Sequence, residues 1–167
     1  MNHSSHEYLT FYIADEEYGV DILCVQEIRV LKQLTELPNK PDYIKGVINL
    51  RGTIIPIIDL RNRFGKIELE SRDKTVVIIL KPQNASAPGS LGIIVDAVSE
   101  VFSFEIDTIN TAPDFGSQID HCFIHGLASA EEKLIVLLDT NQLLDVETLY
   151  QQAPQYVGHN HNEKEFV

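Results

Sequence analysis

The chain has 167 residues, 44% of them apolar, and a formal net charge of −12 at pH 7. That length supports one compact domain with its own core and is too short for two independent enzyme domains. The negative surface repels polyanions, which argues against nucleic acid, and no stretch approaches the roughly 20 apolar residues that a membrane-spanning helix needs.

Met1 to Glu7 has neither a basic nor an apolar region, so it reads as a flexible terminus, and a cytoplasmic location is expected. Tyr8 to Ile13 is aromatic and β-branched; after Asp15-Glu16-Glu17 the chain returns through Tyr18 to Ile22, which predicts a hairpin. Leu23 to Ile28 mixes helical and extended signals and reads as a short helix-like or irregular connection. Pro38 and Pro41 then bracket a loop. In Tyr43 to Leu60 two β-branched runs flank Leu50-Arg51-Gly52, which predicts a tight turn with Gly52 at positive φ and Arg51 projecting outward. Pro56 cannot donate to a ladder, so its strand is expected to lie at an edge or to carry a bulge.

Thr75 to Leu80 is nearly all apolar, as in a strand buried on both faces, and a turn-rich loop from Pro82 to Ser90 leads back through Leu91 to Asp96. From Phe102 to Ile106 apolar residues alternate, and Leu134 to Leu138 is the last clear strand. Asp139-Thr140-Asn141 can cap a closing helix from about Gln142 to Tyr150, and residues 151–167 read as a flexible tail. Short strands without βαβ alternation predict an all-β barrel or sandwich.

Motifs for chemistry are sparse. The Pro82–Ser90 loop has no lysine of the phosphate-loop kind, and no Gly-x-Ser-x-Gly elbow occurs. His121, Cys122 and His125 have a spacing that would suit zinc or a Cys-His nucleophile on a helix, but the segment looks extended, which would hold the two histidines about 13 Å apart. Asp59 and Asp96 lie on different strands, so a carboxylate pair has no support. Cys24 and Cys122 sit among apolar residues and read as small buried hydrophobes. Arg51, Arg61, Arg63 and Lys66 can form one basic island. No catalytic residue, metal site or cofactor is expected.

The strings Asp15 to Ile22, Val25 to Arg29, Ile44 to Gly52 and Pro56 to Arg61, then Thr75 to Ile78, Gly92 to Val98 and Leu134 to Asp139, resemble the CheW family of bacterial chemotaxis coupling proteins. The likeness runs from about Tyr8 to Tyr150, and its weight lies in the order and spacing of the fragments. It implies two interwoven five-stranded SH3-like barrels with a short C-terminal helix. It also implies a non-catalytic adaptor coupling transmembrane chemoreceptors to the histidine kinase CheA, through the receptor's cytoplasmic signalling tip and the kinase's regulatory domain. The length has no room for a kinase core or receiver domain, which favours a stand-alone coupling protein recruited to membrane receptor arrays without being inserted.

By position, the resemblance carries receptor or kinase contacts to Val25, Glu27, Gly46, Arg51 and Val101. An arginine on a tight turn offers a planar fork for carboxylates, and arginine is enriched at interface hot spots. Gly46 reads as permitting close backbone approach. A second kinase contact maps to Asn110 and Phe115, where Asn110 replaces an arginine of some relatives. Two readings outside chemotaxis coupling are an adaptor of another kinase pathway and an enzyme at His121, Cys122 and His125.

Overall fold

A computed structural model describes residues 4–60, 75–83, 89–111 and 123–145. Within them the apolar, β-branched runs form β1 (Ser5–Ile13), β2 (Glu16–Asp21), β3 (Val25–Leu31), β4 (Ile44–Leu50) and β5 (Thr53–Asp59). They continue as β6 (Thr75–Leu80), β7 (Leu91–Val95), β8 (Ala97–Glu105), β9 (Ile124–Ala130) and β10 (Lys133–Leu138), followed by the short helix α1 (Thr140–Leu144).

The strands make two five-stranded sheets, ordered β8-β1-β2-β10-β9 and β3-β6-β7-β5-β4. The chain starts the first sheet, builds all of the second, then returns to finish the first, so the two units are interwoven. Each sheet closes into a barrel by one bridge between its outer strand and the segment leaving the opposite edge. Thr35 and Val47 exchange two 2.9 Å backbone bonds in the second barrel, and Asn110 and Leu127 exchange two 2.8 Å bonds in the first.

Burial divides by strand face. Leu9, Phe11, Ile13 and Val20 of the first sheet meet Ile58, Ile78, Leu80 and Ile93 of the second in one core between the barrels, which Leu143 and Leu144 of α1 also enter. Leu50, Ile55, Ile57, Val77 and Ile79 fill the second barrel, and Tyr8, Phe104, Ile135 and Leu137 belong to the first. β6 therefore feeds alternate side chains to two cores, which is why its sequence is apolar throughout. At about 1.5–3 kcal/mol per fully buried aliphatic side chain, these cores dominate the stability.

The barrels repeat one plan. The β4–β5 hairpin pairs Ile44 with Ile58, slips by a bulge, then pairs Gly46 with Ile57; β9–β10 pairs Ile124 with Leu138, slips, then pairs Gly126 with Leu137. Both turns use two positive-φ residues, Arg51 (50°) and Gly52 (89°) in one and Glu131 (50°) and Glu132 (67°) in the other, as type I′ hairpin turns require. The repeat also matches the parallel pairings β5–β7 and β10–β2.

Three local expectations change. Leu23 to Ile28, read as helix-like or irregular, is helical only in Leu23 and Cys24: the Asp21 carboxylate accepts from Leu23 N at 2.9 Å and closes one 3-10 turn, Ile22–Cys24, after which Val25 to Leu31 is strand. β5 is interior to its sheet, not an edge, and the bulge of its hairpin lies on β4 at Lys45; Pro56 is tolerated because pairing with β7 begins only at Ile57. β1 begins at Ser5, paired with Glu105, inside the stretch read as flexible. α1 starts at Thr140 because Asp139 is its cap, accepting from Gln142 N; residues 146–150 of the expected helix and the tail lie outside the described residues.

One charge is buried in the first barrel. The Glu17 side chain is 2% exposed, and Lys133 Nζ lies 2.9 Å from its Oε1 and donates to Tyr12 Oη at 2.9 Å. Burial alone would raise the Glu17 carboxyl, but the Lys133 cation beside it and the nearby Thr10 and Tyr12 hydroxyls together hold it below its ordinary value.

Candidate protein-binding surface

Arg51 and Glu27, distant in sequence, are brought together: Arg51 Nη2 donates to Glu27 Oε1 at 2.5 Å. The turn that carries Arg51 is fixed by Asn49, whose Oδ1 accepts from Gly52 N at 2.8 Å. Glu27 sits on β3, and its other oxygen lies 3.7 Å from Arg29 Nη1. Two guanidinium groups thus converge on one carboxylate at the rim of the second barrel.

A bulge on β3 decides which face each residue presents. Val25 pairs with Leu80 and Glu27 with Ile79, so the extra residue Gln26 turns Val25 and Glu27 to opposite sides. Val25 is half-buried against the core between the barrels. Ile28 pairs with Ile78, and on β8 Val101 pairs with Leu9; both partners belong to that same core. Directly paired residues share a sheet face, so Ile28 and Val101, each 46% exposed, stand on the faces of their sheets that turn toward the core between the barrels. The expected residues fall into an apolar group on those core-facing sides, Val25 and Val101, and a polar group at the barrel rim, Glu27 and Arg51.

Gly46 belongs to neither group. Its φ is 153°, and a β-carbon there would lie 2.3 Å from the Thr35 carbonyl oxygen, so glycine at this position permits the bridge that closes the barrel. Asn110 is exposed, with its backbone committed to the Leu127 bridge, and Phe115 lies outside the described residues. Arg61, Arg63 and Lys66 of the basic island lie outside them too, and Arg51 is paired with acid.

Sequence reasoning missed Ile28 and Arg29. The alternation along Val25 to Leu31 was the available signal, but it is broken at Gln26, and register across the bulge cannot be read from one strand alone.

The alternative chemical centre finds no support in these residues. His125 is exposed on β9, while His121 and Cys122 lie outside the described residues. Among the described residues no three His, Cys, Asp or Glu side chains group to hold a metal. Asp96 is engaged as a turn clamp, accepting from Ala14 N at 2.7 Å, and Asp59 is fully buried. The Cys24 thiol is pushed up by burial and by the Asp21 charge, against smaller opposing contributions from Thr140 and Lys81, so it is not an activated thiolate.

Residues 7–148 match the CheW-like domain family. The chain belongs to the CheW family. Chemotaxis protein CheW of Klebsiella aerogenes is 43% identical over 143 residues, covering 86% of this chain and 84% of that protein. The Bacillus subtilis protein of the same name is 31% identical over 146 residues, covering 87% and 91%. The crystal structure of the scaffolding protein TtCheW from Thermoanaerobacter tengcongensis matches with a TM-score of 0.75 at 34% identity, covering 87% of this chain and 91% of that one. This CheW-family chain is therefore a chemotaxis coupling scaffold and not an enzyme. No helix among the described residues is long and apolar enough to cross a membrane.

Proposed function

We propose that this scaffold acts in the cytoplasm and couples transmembrane chemoreceptors to the histidine kinase CheA, binding the receptor's signalling tip and the kinase's regulatory domain. The observation that carries the reading is the pairing of a rigid, charged rim, Arg51 on its I′ turn beside Glu27, with apolar side chains on the core-facing sides of the two sheets, Val25, Ile28 and Val101. A helical tip with an apolar face and a carboxylate fits such a surface, because these side chains take the apolar contacts and the arginine fork fixes the register. Gly46 supports the surface by letting the second barrel close. The family resemblance adds a second kinase contact at Asn110 and Phe115, and separate contacts on one molecule would let it hold both partners and raise their effective concentration.

The test is calorimetric titration of the full chain with a receptor signalling-tip fragment and, separately, with the kinase regulatory domain. Both bind under this proposal. Arg51→Asp weakens receptor binding by more than about 1 kcal/mol while leaving the thermal melt in place, as for an interface residue. Absence of binding to both partners refutes the reading.

A further inference from the structure

A cavity of about 240 Å³ opens at one end of the first barrel, where β1, the 3-10 turn, the segment after β8 and the start of α1 meet, and Gln83 reaches it from beyond β6. That volume is below the roughly 300–1,000 Å³ of drug-sized sites, so it suits a small ligand. Thr140 forms part of the wall; the residue is only 6% exposed, and its Oγ1 is buried with no hydrogen-bond partner among the described residues. The Cys24 thiol in the same wall is also buried and is at best a weak partner. A buried hydroxyl left unbonded is costly, and a ligand group that bonds it recovers the cost.

The formal charge of the wall is negative. Asp21 and Asp139 line the cavity, and among the described residues no lysine or arginine does. Asp21 accepts from Leu23 N and Gln83 Nε2, and Asp139 from Gln142 N. These bonds orient the carboxylates and leave room for a further donor, since a carboxylate has about four lone-pair sites. The Asp21 charge is felt within the cavity: after burial, it is what raises the Tyr8 hydroxyl and the Cys24 thiol. Ile106, Ile109 and Leu138 supply apolar surface beside the acids.

We propose that this cavity binds a small aliphatic ammonium ion bearing a hydroxyl group, with the ammonium on Asp21 and Asp139, the carbon chain on Ile106, Ile109 and Leu138, and the hydroxyl on Thr140 Oγ1. An anion would meet two carboxylates, and a purely apolar ligand would leave Thr140 unbonded. The net charge of −12 favours a cation further. None of the described residues assigned to receptor or kinase contacts lines the cavity, so the site is independent of the coupling reading.

The experiment titrates the full chain with aminobutanol, butylamine, butanediol and hydroxybutyrate, followed by ¹H–¹⁵N NMR. Aminobutanol is expected to bind saturably with a Kd of about 1 mM, in keeping with so small a ligand, to move the amides of Cys24, Gln83 and Thr140, and to raise the melting temperature by linkage. Butylamine lacks the hydroxyl and butanediol the charge, so each should bind at least about fivefold more weakly, and hydroxybutyrate should not bind. Thr140→Val keeps the side-chain shape and should lower aminobutanol affinity to that of butylamine. Asp139→Asn keeps a helix cap and should weaken aminobutanol about fivefold. Thermal melts of the unliganded variants check that both fold. Absence of saturable shifts at these amides up to about 50 mM, well above that Kd, means that the cavity holds water only and overturns the inference. Equal binding of aminobutanol, butylamine and butanediol, or wild-type affinity in Thr140→Val, overturns it as well.

Discussion

The Thr35 carbonyl oxygen occupies the space that a β-carbon on Gly46 would need, 2.3 Å from its ideal position. The contact lies beside the one bridge that closes the second barrel, so sequence at Gly46 and closure of the fold are coupled.

Gly46→Ala is therefore expected to cost at least about 2 kcal/mol, since backbone strain of this kind alone amounts to about 1–3 kcal/mol before the carbonyl must move. Gly52 is the internal control. Its φ is 89° but nothing lies within 4 Å of its ideal β-carbon, so Gly52→Ala should cost only about 1–2 kcal/mol. Urea unfolding of the two variants checks the difference, and equal costs would show that the carbonyl contact contributes nothing.

Glu17 makes stability depend on pH. Its carboxyl is held below the ordinary value in the folded protein, so the stabilisation is full above the unfolded-state pKa and is lost as pH falls through the lower, folded-state one. Lys133→Met leaves the buried carboxylate without its cation. The variant should lose stability at pH 7 and lose less relative to the wild type near pH 4, because without its cation the carboxyl is raised by burial and takes up a proton as the pH falls. Denaturant melts at the two pH values read this directly; an equal loss at both would mean that Lys133 acts by packing.

Ile28 and Val101 are exposed on the core-facing sides of the outer strands β3 and β8, one on each barrel. Replacing either with aspartate should change stability by no more than about 0.5 kcal/mol, as at other exposed positions, yet weaken binding of the receptor fragment by about tenfold, the scale of an interface residue. Leu134, 62% exposed on β10, serves as the comparison, and Leu134→Asp should leave that binding unchanged. Equal effects at all three positions would point to a nonspecific loss of surface hydrophobicity.

Much of the fold was legible in the sequence because its turns are made of residues with few alternatives. Leu50-Arg51-Gly52 names its hairpin, the unbroken Thr75 to Leu80 run announces a strand lying between two cores, and Asp139 announces its helix. What was not legible depends on register. A single bulged residue, Gln26, reverses the faces of Val25 and Glu27, and no alternation pattern shows where a partner strand will slip. Pro56 misled for a related reason. Its strand has two neighbours, but the parallel one begins a residue later, and where a parallel pairing starts is set by the whole sheet. The equivalence of the two hairpins also escaped notice, since Arg51-Gly52 and Glu131-Glu132 share backbone conformation and no chemistry. The candidate site was legible as a set of positions through family resemblance, and its division into an apolar group and a polar rim came only from the pairings.

Cys24 gives a simple check on the packing of the core. With its thiol pKa raised by burial, it should react with a thiol reagent at pH 8 at least about tenfold more slowly in the folded chain than in urea, because the thiolate is the reactive form. A Cys122→Ser background isolates the signal, and similar rates in both states would mean that Cys24 is open to solvent.

The central claim is that one molecule of this scaffold holds receptor and kinase together. Sedimentation of receptor-bearing membranes mixed with the kinase, with and without the chain, measures this most directly. The account predicts kinase in the pellet only when the chain is present, and its loss with Arg51→Asp. Kinase that sediments to the same extent without the chain, or that stays in the supernatant with it, would contradict the account.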